Sequence, residues 1–308
     1  MGEWLEWLVP WGTEIIVWVQ SLSNAWIDAV AIFFTGLGYE EFYLLALPLI
    51  YWCIHRQIGI GLAYASLLSA WLNSVLKYVF RIPRPADPRI RIPLPETSPA
   101  FPSGHAQNAV INWGYLAIRF QNPIFWGVAI IAIVGIGLSR VVLGVHYPQD
   151  VIAGWLIGLV FLAVYIWAEP HVSRWVGRQG TVLQLVLAVA VPLALGFLHP
   201  ADLGGRYPAD SAITAMSTLA GLGIGVIMER AWVRFRVEGV WWRRGLRYLA
   251  GLIIVGLFYA GPKLLIPDDL PYSLETVLRF LRYGVLGWVV AFLVPWIMIR
   301  LRLADTES

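Results

Sequence analysis

Charged residues are scarce in this chain. Asp, Glu, Lys and Arg make up 13% of its 308 residues, whereas an ordinary soluble domain contains about 25%. Hydrophobic residues make up 59%, and the mean hydropathy is +0.69. Apolar runs of about 17 to 25 residues recur along the sequence, and each is long enough to cross the hydrocarbon core of a bilayer as a helix. The composition therefore excludes a soluble globular protein and predicts an integral membrane protein.

Cysteine is almost absent, since Cys53 is the one such residue. A single thiol excludes an internal disulfide and leaves the redox compartment undetermined. Because Cys53 lies in an apolar segment, we expect it to serve packing. The net charge of +3 and the isoelectric point near 9.0 do not indicate a nucleic-acid partner, because in a membrane protein the distribution of Lys and Arg among the loops matters more than their sum.

The predicted fold class is all-α, a polytopic membrane helix bundle with about nine transmembrane helices. Residues 1–39 begin without Lys or Arg and are rich in Trp, which predicts an N-terminal interfacial, amphipathic helix. Residues 81–103 are too polar to span the membrane and too rich in Pro to be helical. Pro, Gly and charged residues mark the other breaks. The nine spans are predicted at residues 40–54, 57–80, 104–120, 123–142, 147–168, 180–198, 211–229, 246–265 and 274–301.

Three polar clusters lie at predicted helix ends, and alternating topology places all three on one face of the membrane. The first combines Lys77 with Arg84 and Pro85. Lys77 lies about one turn before the end of a span, and the prolines that follow allow Arg84 to turn back over the helix end. Two cations would then converge on one point. The alternative is that both side chains extend to the lipid head groups, as Lys and Arg near helix ends commonly do.

The second cluster is PSGH, residues 102–105. Ser103 is placed as the N-cap of the next span, and Gly104 lets the backbone approach a ligand closely, so the free amides of this helix form an anion site. His105 projects from the first turn beside that anion. Taken alone, an ordinary capping Ser-Gly pair followed by a core histidine is an equally good interpretation.

The third cluster contains Ser139, Arg140, His146 and Asp150. Because Pro148 is tolerated in the first turn of a helix, a span is predicted to begin beside it, which leaves His146 at the helix start and Asp150 one turn further. The Asp150 carboxylate can then accept an N–H from the His146 ring, fix its tautomer and raise its nucleophilicity. Arg140 ends the preceding span and offers bidentate bonds to phosphate. The cluster predicts a phosphate pocket with its own nucleophile.

In the order KxxxxxxRP, PSGH and SRxxxxxHxxxD, the three clusters resemble the motif of the type 2 phosphatidic acid phosphatase (PAP2) superfamily. This resemblance implies a six-helix catalytic core, here residues 40–200, and a phosphohistidine mechanism without a metal or another cofactor. It implies that His146 is the nucleophile, that Asp150 supports it, and that His105 protonates the leaving oxygen and then activates water. The phosphate-binding residues that it implies are Lys77, Arg84, Ser103, Gly104 and Arg140. The matching positions are Lys77, Arg84, Pro85, Pro102, Ser103, Gly104, His105, Ser139, Arg140, His146 and Asp150.

The expected function is hydrolysis of a lipid phosphate or pyrophosphate, such as phosphatidic acid, phosphatidylglycerol phosphate or an isoprenyl pyrophosphate, with the bilayer and a membrane lipid as partners. Residues 201–308 add three predicted spans without a catalytic motif, and nine spans resemble the glucose-6-phosphatase branch of the superfamily. We expect this extension to serve packing or a homodimer contact. Two alternatives stay open: a hydrolase of soluble sugar phosphates, and a silent relative that binds or transports lipid phosphate. Silent relatives usually lack the histidines or arginines, which are all present here.

Other charged residues near the predicted site have two interpretations each. Glu96, Arg89 and Arg91 in residues 81–103 are candidates for contact with a substrate head group, and solvated loop charges are the alternative. Glu40 and Glu41 precede the first span on the same face and could frame the pocket. Acids at a helix start are the simpler account of this pair.

The positive-inside rule gives a testable topology. With the motif clusters outside, the outer segments beyond the active site carry little more than Arg206 and Lys263. The active site is then expected to face the periplasm, the exterior or a lumen, with the N-terminus outside and the C-terminus inside; in a bacterium the membrane would be the inner or plasma membrane. Protease or cysteine-labelling experiments at Ser308 measure this, and access to Ser308 from outside would contradict it. The inner Arg residues are Arg56, Arg119, Arg174, Arg178, Arg230, Arg234, Arg236, Arg243, Arg244, Arg247, Arg300 and Arg302.

Overall fold

The computed structural model describes residues 7–200, 209–265 and 270–306, without the side chains of residues 262–265. Arg206, the Lys263 side chain and Ser308, which enter the topology prediction, lie outside the described residues. Between Phe235 and Thr306 there is an isolated antiparallel bridge. Two π-helical turns lie at Ile50–Ile54 and Val289–Leu293. The helices are α1 (Val9–Ser21), α2 (Ala25–Gly36), α3 (Glu40–Leu49), α4 (Arg56–Phe80), α5 (Gly104–Phe120), α6 (Pro123–Val142), α7 (Pro148–Gly177), α8 (Thr181–Phe197), α9 (Asp210–Trp232), α10 (Trp241–Leu265), α11 (Tyr272–Trp288) and α12 (Val294–Arg300).

The all-α helix-bundle fold class is confirmed, because each of the nine predicted spans coincides with helix. The number of spans that length and apolarity support is smaller. In the described part of the chain six helices satisfy both criteria, and there are seven if α2 and α3, which meet at a 52° bend, form one broken span. The two predicted spans that this number leaves out are α5 and α8, which have 17 residues each, at the lower limit of the roughly 17 to 25 residues that cross a bilayer.

The N-terminal segment differs from the single interfacial helix predicted for residues 1–39. Within its described part the chain forms two helices, α1 and α2, separated by a break at residues 22–24. Asn24 caps α2, since its Oδ1 accepts hydrogen bonds from the backbone N–H groups of Trp26 at 3.0 Å and Ile27 at 3.1 Å. An Asx cap of this kind starts a new helix, because it satisfies amides that have no partner inside the helix.

The Pro-rich segment after α4 is irregular, as predicted. Arg81, the first residue after α4, has a left-handed backbone conformation with φ of 53°. The segment is nevertheless attached to its neighbours, because the Gln20 side chain on α1 accepts from the Arg91 N–H at 2.8 Å and donates to the Arg91 carbonyl at 2.9 Å. An ion pair of 2.7 Å also joins Arg89 to Glu14 on α1. The loop of residues 81–103 thus has a defined path.

Contacts between Cα atoms divide the chain into two compact units whose segments alternate along the sequence. The first unit contains the described residues of Met1–Tyr43, Ser69–Ala168 and Pro200–Ala209, and the second contains those of Leu44–Leu68, Glu169–His199 and Asp210–Ser308. All three polar clusters belong to the first unit. The division predicted from the sequence, at residues 1–39, 40–200 and 201–308, stays a prediction.

In the first unit, small residues bring α7 against the start of α5. A Cβ atom added at Gly154 would lie 2.6 Å from the Ser103 carbonyl oxygen, and one at Gly158 would lie 2.8 Å from that of Gln107. Glycines one turn apart on a helix let two backbones approach closely in this way. A hydrogen bond of 3.0 Å from the Ser103 N–H to the Asp150 carbonyl stabilises this close approach. The second and third polar clusters are therefore in direct contact.

In the second unit, Arg247 is fully buried on α10. Its guanidinium donates to the carbonyl oxygens of Trp52 and Val237, both at 2.8 Å, and of Leu303 at 3.0 Å. Such bonds satisfy both terminal nitrogens of a charged group that burial would otherwise destabilise, while its Nε has no partner among the described residues. Arg247 thereby joins three segments that are distant in sequence.

Candidate active site

His146 lies in the turn between α6 and α7 and is 1% exposed. Its Nδ1 is 3.4 Å from Oδ2 of Asp150, which also accepts a hydrogen bond of 2.9 Å from the Tyr147 N–H. The other ring nitrogen, Nε2, lies 3.1 Å from Nη1 of Arg84. Because a guanidinium only donates, Nε2 is the nitrogen that carries the lone pair. The ring is thus held at one nitrogen by a carboxylate and presents the other to a cation.

The turn that carries His146 depends on Gly144. This residue has φ of +69°, a conformation that side chains with a Cβ rarely adopt. A Cβ here would also lie 2.7 Å from the Arg91 carbonyl oxygen. The chain can therefore leave α6 and bring His146 back towards Arg140, whose carbonyl accepts the His146 N–H at 3.3 Å.

Arg84 and Arg140 meet at the carboxylate of Glu96. Nη2 of Arg84 donates to Oε2 of Glu96 at 2.5 Å, and Nη2 of Arg140 donates to Oε1 of the same side chain. Arg140 is fully buried, and its Nη1 donates to the hydroxyl of Thr35 at the end of α2. The two arginines predicted to bind phosphate thus converge on one anionic group.

Lys77 reaches the same place from α4. Its Nζ donates to Oγ of Ser98 at 2.8 Å, and Arg84 donates to the same oxygen from Nη2 at 3.0 Å and to the Ser98 carbonyl from Nε at 2.7 Å. The structure therefore brings Lys77, Arg84 and Arg140 together around Glu96 and Ser98 of the 81–103 loop. Neither cation of the first cluster extends away from the site.

Ser103 is the N-cap of α5, with its Oγ accepting from the Ala106 N–H at 3.4 Å. His105 follows in the first turn, and its ring meets the Tyr39 ring edge to face, with centroids 5.1 Å apart. Position 38 has to be glycine, since a Cβ there would overlap the His105 ring. Within the part of the chain that the structure describes, Nε2 of His105 is buried without a hydrogen-bond partner. That nitrogen is available to exchange a proton.

A buried polar network supports the start of α5 from behind. The Asn73 side-chain amide on α4 donates to the Pro102 carbonyl at 3.3 Å and to Oε1 of Gln107 at 3.0 Å. Gln107 in turn donates to the carbonyl of Ser69 at 3.1 Å. A Cβ at Gly104 would lie 2.9 Å from Oδ1 of Asn73. The network fixes the position of the Ser103–Gly104 backbone, which the sequence motif places at the anion site.

Burial and nearby charge decide the protonation states of His146 and Glu96, which both lie outside the helices. Burial, together with the positive charges of Arg84, Lys77 and Arg140, lowers the pKa of His146 well below its ordinary value. Its imidazole is therefore neutral near pH 7, which is the form with a free lone pair. Burial alone would raise the pKa of Glu96, but Arg140 and Arg84 outweigh it and hold that pKa below its ordinary value. Glu96 is accordingly a carboxylate.

Two sequence models of known families match the chain. Residues 58–174 match the PAP2 superfamily, and residues 213–306 match the PAP2 superfamily phosphatase, transmembrane extension. An undecaprenyl-diphosphatase of Sulfolobus acidocaldarius is 35% identical over 174 residues, which cover 54% of this chain and 83% of that protein. The chain belongs to the PAP2 superfamily. Together with the long apolar helices, the transmembrane extension makes this PAP2 protein an integral membrane protein.

Two further relatives are named for different activities. A dihydrosphingosine 1-phosphate phosphatase of Schizosaccharomyces pombe is 26% identical over 230 residues, which cover 69% of this chain and 55% of that protein. The chain thus spans about half the length of this relative. Glucose-6-phosphatase 3 of Bos taurus is 26% identical over 332 residues, which cover 92% of this chain and 94% of that protein.

Of the loop charges considered from the sequence, Glu96 contacts the two arginines predicted to bind phosphate, and Arg89 and Arg91 pair elsewhere. Arg89 pairs with Asp87 and Glu14, and Arg91 pairs with Asp28, all at partly or largely exposed positions. Among the described residues no group of three or more His, Cys, Asp and Glu side chains is arranged to hold a metal ion.

Sequence reasoning missed Thr35, Asn73 and Ser98. Thr35 and Ser98 have no distinctive sequence context, since hydroxyl residues are common in loops and at helix ends. Asn73 carried a usable signal, because it is a polar residue in an apolar span one helical turn before Lys77. Thr35 also lies outside both family matches, although it contacts Arg140 directly.

The Thr35 contact gives a testable prediction. Thr35→Val keeps the side-chain shape but removes the oxygen that accepts from Arg140, and hydrogen bonds to charged groups contribute about 1.5–3 kcal/mol. We expect the affinity of the purified PAP2 protein for vanadate to fall by roughly tenfold or more, measured by titration calorimetry. Ser21→Ala, on the preceding helix, removes an exposed hydroxyl that donates to the Trp18 carbonyl and serves as the control. An unchanged vanadate affinity in Thr35→Val would show that Arg140 does not need this contact.

Proposed function

We propose that this PAP2 protein is a metal-independent phosphatase that hydrolyses a lipid phosphate or diphosphate through a phosphohistidine on His146. One observation carries the proposal. Nε2 of the buried His146 ring lies 3.1 Å from Arg84, while Nδ1 lies 3.4 Å from Asp150. A neutral imidazole held in this way is an activated nucleophile beside a group that binds phosphate.

The first step is attack of the His146 Nε2 lone pair on phosphorus. The N–P bond forms as the bond from phosphorus to the leaving oxygen breaks, and Asp150 stabilises the positive charge that develops on the ring. Lys77, Arg84 and Arg140 neutralise the phosphoryl oxygens. Phosphoryl transfer depends chiefly on such positioning and charge stabilisation, which makes a cluster of three cations suited to the task.

His105 completes the cycle. A proton on its buried Nε2 passes to the leaving oxygen, which releases the alcohol or the shorter phosphate. The same nitrogen then takes a proton from water, whose oxygen attacks the phosphohistidine and releases inorganic phosphate and the neutral His146 ring. Acid and base roles for one histidine in two successive half-reactions balance the protons over the cycle.

A substrate with a hydrocarbon tail is favoured by the apolar character of the helices that carry the site. Arg140 lies on α6, where Leu138 is 51% exposed, and Thr35 lies on α2, where Phe33 is 62% exposed. Residues two positions apart face nearly opposite sides of a helix, so these side chains indicate helices in contact with lipid rather than the lining of the pocket. A lipid tail can stay in the bilayer while its phosphate reaches the cations, and the names of the yeast and archaeal relatives agree with a lipid substrate.

Hydrolysis of a soluble sugar phosphate is the second candidate. It is favoured by the length of the match to the bovine glucose-6-phosphatase 3. The three polar clusters do not distinguish the two classes, because they contact the phosphate that both classes share. We retain the outward orientation of the site and the homodimer as predictions.

The substrate class is tested by a phosphate-release screen of the purified protein. We expect kcat/KM to be highest for a lipid phosphate or diphosphate among phosphatidic acid, an isoprenyl pyrophosphate, sphingosine phosphate and glucose 6-phosphate, because the apolar tail adds binding energy. Activity is expected to survive EDTA, since the three cations supply the charge that a metal would bring. A higher kcat/KM for glucose 6-phosphate would favour the second candidate, and no release from any of these would favour a silent relative.

The chemistry is tested on His146 and Asp150. We expect His146→Ala to lower kcat by roughly four orders of magnitude or more, because it removes the nucleophile. Asp150→Asn should also lower kcat, but by less than His146→Ala, because the ring loses the carboxylate that orients it and stabilises its positive charge. Rapid-quench work should find an acid-labile, base-stable phosphoenzyme in the wild type but not in His146→Ala.

Asp87→Asn is the matched control, because Asp87 lies in the 81–103 loop and pairs with Arg89 outside the site. It should leave kcat unchanged. Full activity of His146→Ala, or a strict requirement for a divalent metal, would contradict the proposed mechanism.

A further inference from the structure

Glu96 occupies a position that neither interpretation of its sequence context anticipated. Its two carboxylate oxygens accept from different arginines, Oε2 from Arg84 and Oε1 from Arg140. These arginines are also the groups that the proposed function assigns to the phosphoryl oxygens. The donors that a phosphate requires are thus bonded to a side chain of the protein itself.

A carboxylate can replace two phosphoryl oxygens at such a site. The planar guanidinium presents its N–H groups in a fork that matches carboxylate and phosphate alike. Glu96 is ionised, as its lowered pKa indicates, and it therefore offers the arginines a full negative charge as well as the geometry. The same donors cannot bond fully to Glu96 and to a phosphoryl group at once.

The surroundings of Glu96 allow it to leave. Its side chain is 23% exposed, whereas that of Arg140 is completely buried and anchored by Thr35. Glu96 belongs to the irregular 81–103 loop, and the described hydrogen bonds of its carboxylate are those to the two arginines. Arg84 is anchored as well, because it donates to the carbonyls of Ser98 and Val145, both at 2.7 Å. Glu96 is therefore the part of the pocket that can be exchanged.

We infer that Glu96 is an internal competitor of phosphate, which must leave Arg84 and Arg140 before a phosphate group can bind and which returns to help displace the inorganic phosphate product. This inference rests on the proposed function for its consequence in catalysis. The consequence of the inference for anion binding does not depend on catalysis. If only the molecules with displaced Glu96 bind anions, the apparent affinity for every phosphate anion is the intrinsic affinity multiplied by the fraction of such molecules.

Because the same factor applies to every phosphate anion, two anions of different charge test the inference. Their affinities are measured by titration calorimetry in detergent micelles, with inorganic phosphate as a dianion and dimethyl phosphate as a monoanion. In Glu96→Gln the neutral amide competes poorly, so both anions should bind at least about tenfold more tightly, by factors that agree within about threefold. Glu96→Asp keeps the carboxylate and should lie between Glu96→Gln and the wild type. Glu14→Gln removes an exposed carboxylate on α1 that pairs with Arg89, and neither affinity should change.

Two results would overturn the inference. Weaker binding of both anions by Glu96→Gln would mean that Glu96 organises the arginines for phosphate. A much larger gain for the dianion than for the monoanion would mean that Glu96 stays in place and acts by repulsion. Because calorimetry requires no turnover, these results are independent of the phosphate-release screen, whose failure would contradict the proposed function alone.

A measurement on the wild-type protein covers the case in which Glu96→Gln does not fold. In an experimental structure with vanadate bound, Arg84 and Arg140 should donate to vanadate oxygens, and the Glu96 carboxylate should have left both guanidinium groups. Retention of the Glu96 bridge beside bound vanadate would overturn the inference.

Discussion

A charge that is buried in a membrane protein has to be paired, and the site of this PAP2 protein is organised around that requirement. Arg140 has no exposed surface, so its guanidinium needs acceptors from the protein. Thr35 supplies one from α2 and Glu96 supplies another from the 81–103 loop. Glu96 then also binds Arg84, which lies beside the His146 ring. The pairing of one buried arginine thereby brings together a helix end, a loop and the turn that carries the histidine.

Close backbone packing provides the second half of the geometry. Gly154 lets α7 approach the N-cap of α5, and Gly144 lets the chain turn sharply out of α6. Asp150 is consequently held by its own backbone to Ser103 while its carboxylate faces His146. Substituents on these glycines would separate elements that must meet, which explains why a site built from helix ends contains glycine where the helices come together.

The contacts proposed for this site involve only the phosphate that the candidate substrates share. The relatives of this protein carry names of sphingolipid, isoprenoid and sugar phosphatases, and the polar clusters contain nothing that separates these groups. Discrimination has to come from surfaces around the pocket. The second unit also contains a fully buried arginine, Arg247, whose carbonyl partners satisfy it locally. Burial of an arginine is therefore not itself a sign of a binding site, whereas convergence of two arginines on one carboxylate beside a histidine is informative.

The sequence by itself determined the all-α class, because apolar runs of membrane length allow hardly any other structure. It also determined the pairing of His146 with Asp150 and the cap at Ser103, since both depend on spacings of a few residues at a helix start. It predicted about nine spans, of which length and apolarity support six or seven in the described part of the chain, and it predicted one N-terminal helix where Asn24 starts a second. Only the tertiary structure decided that Glu96 binds Arg84 and Arg140, which are 12 and 44 positions away, and that Thr35, 105 positions away, holds Arg140. Local spacing follows from helix geometry. Contacts over such separations depend on the path of a Pro-rich loop and on how closely the helices pack, and a periodic sequence pattern predicts neither.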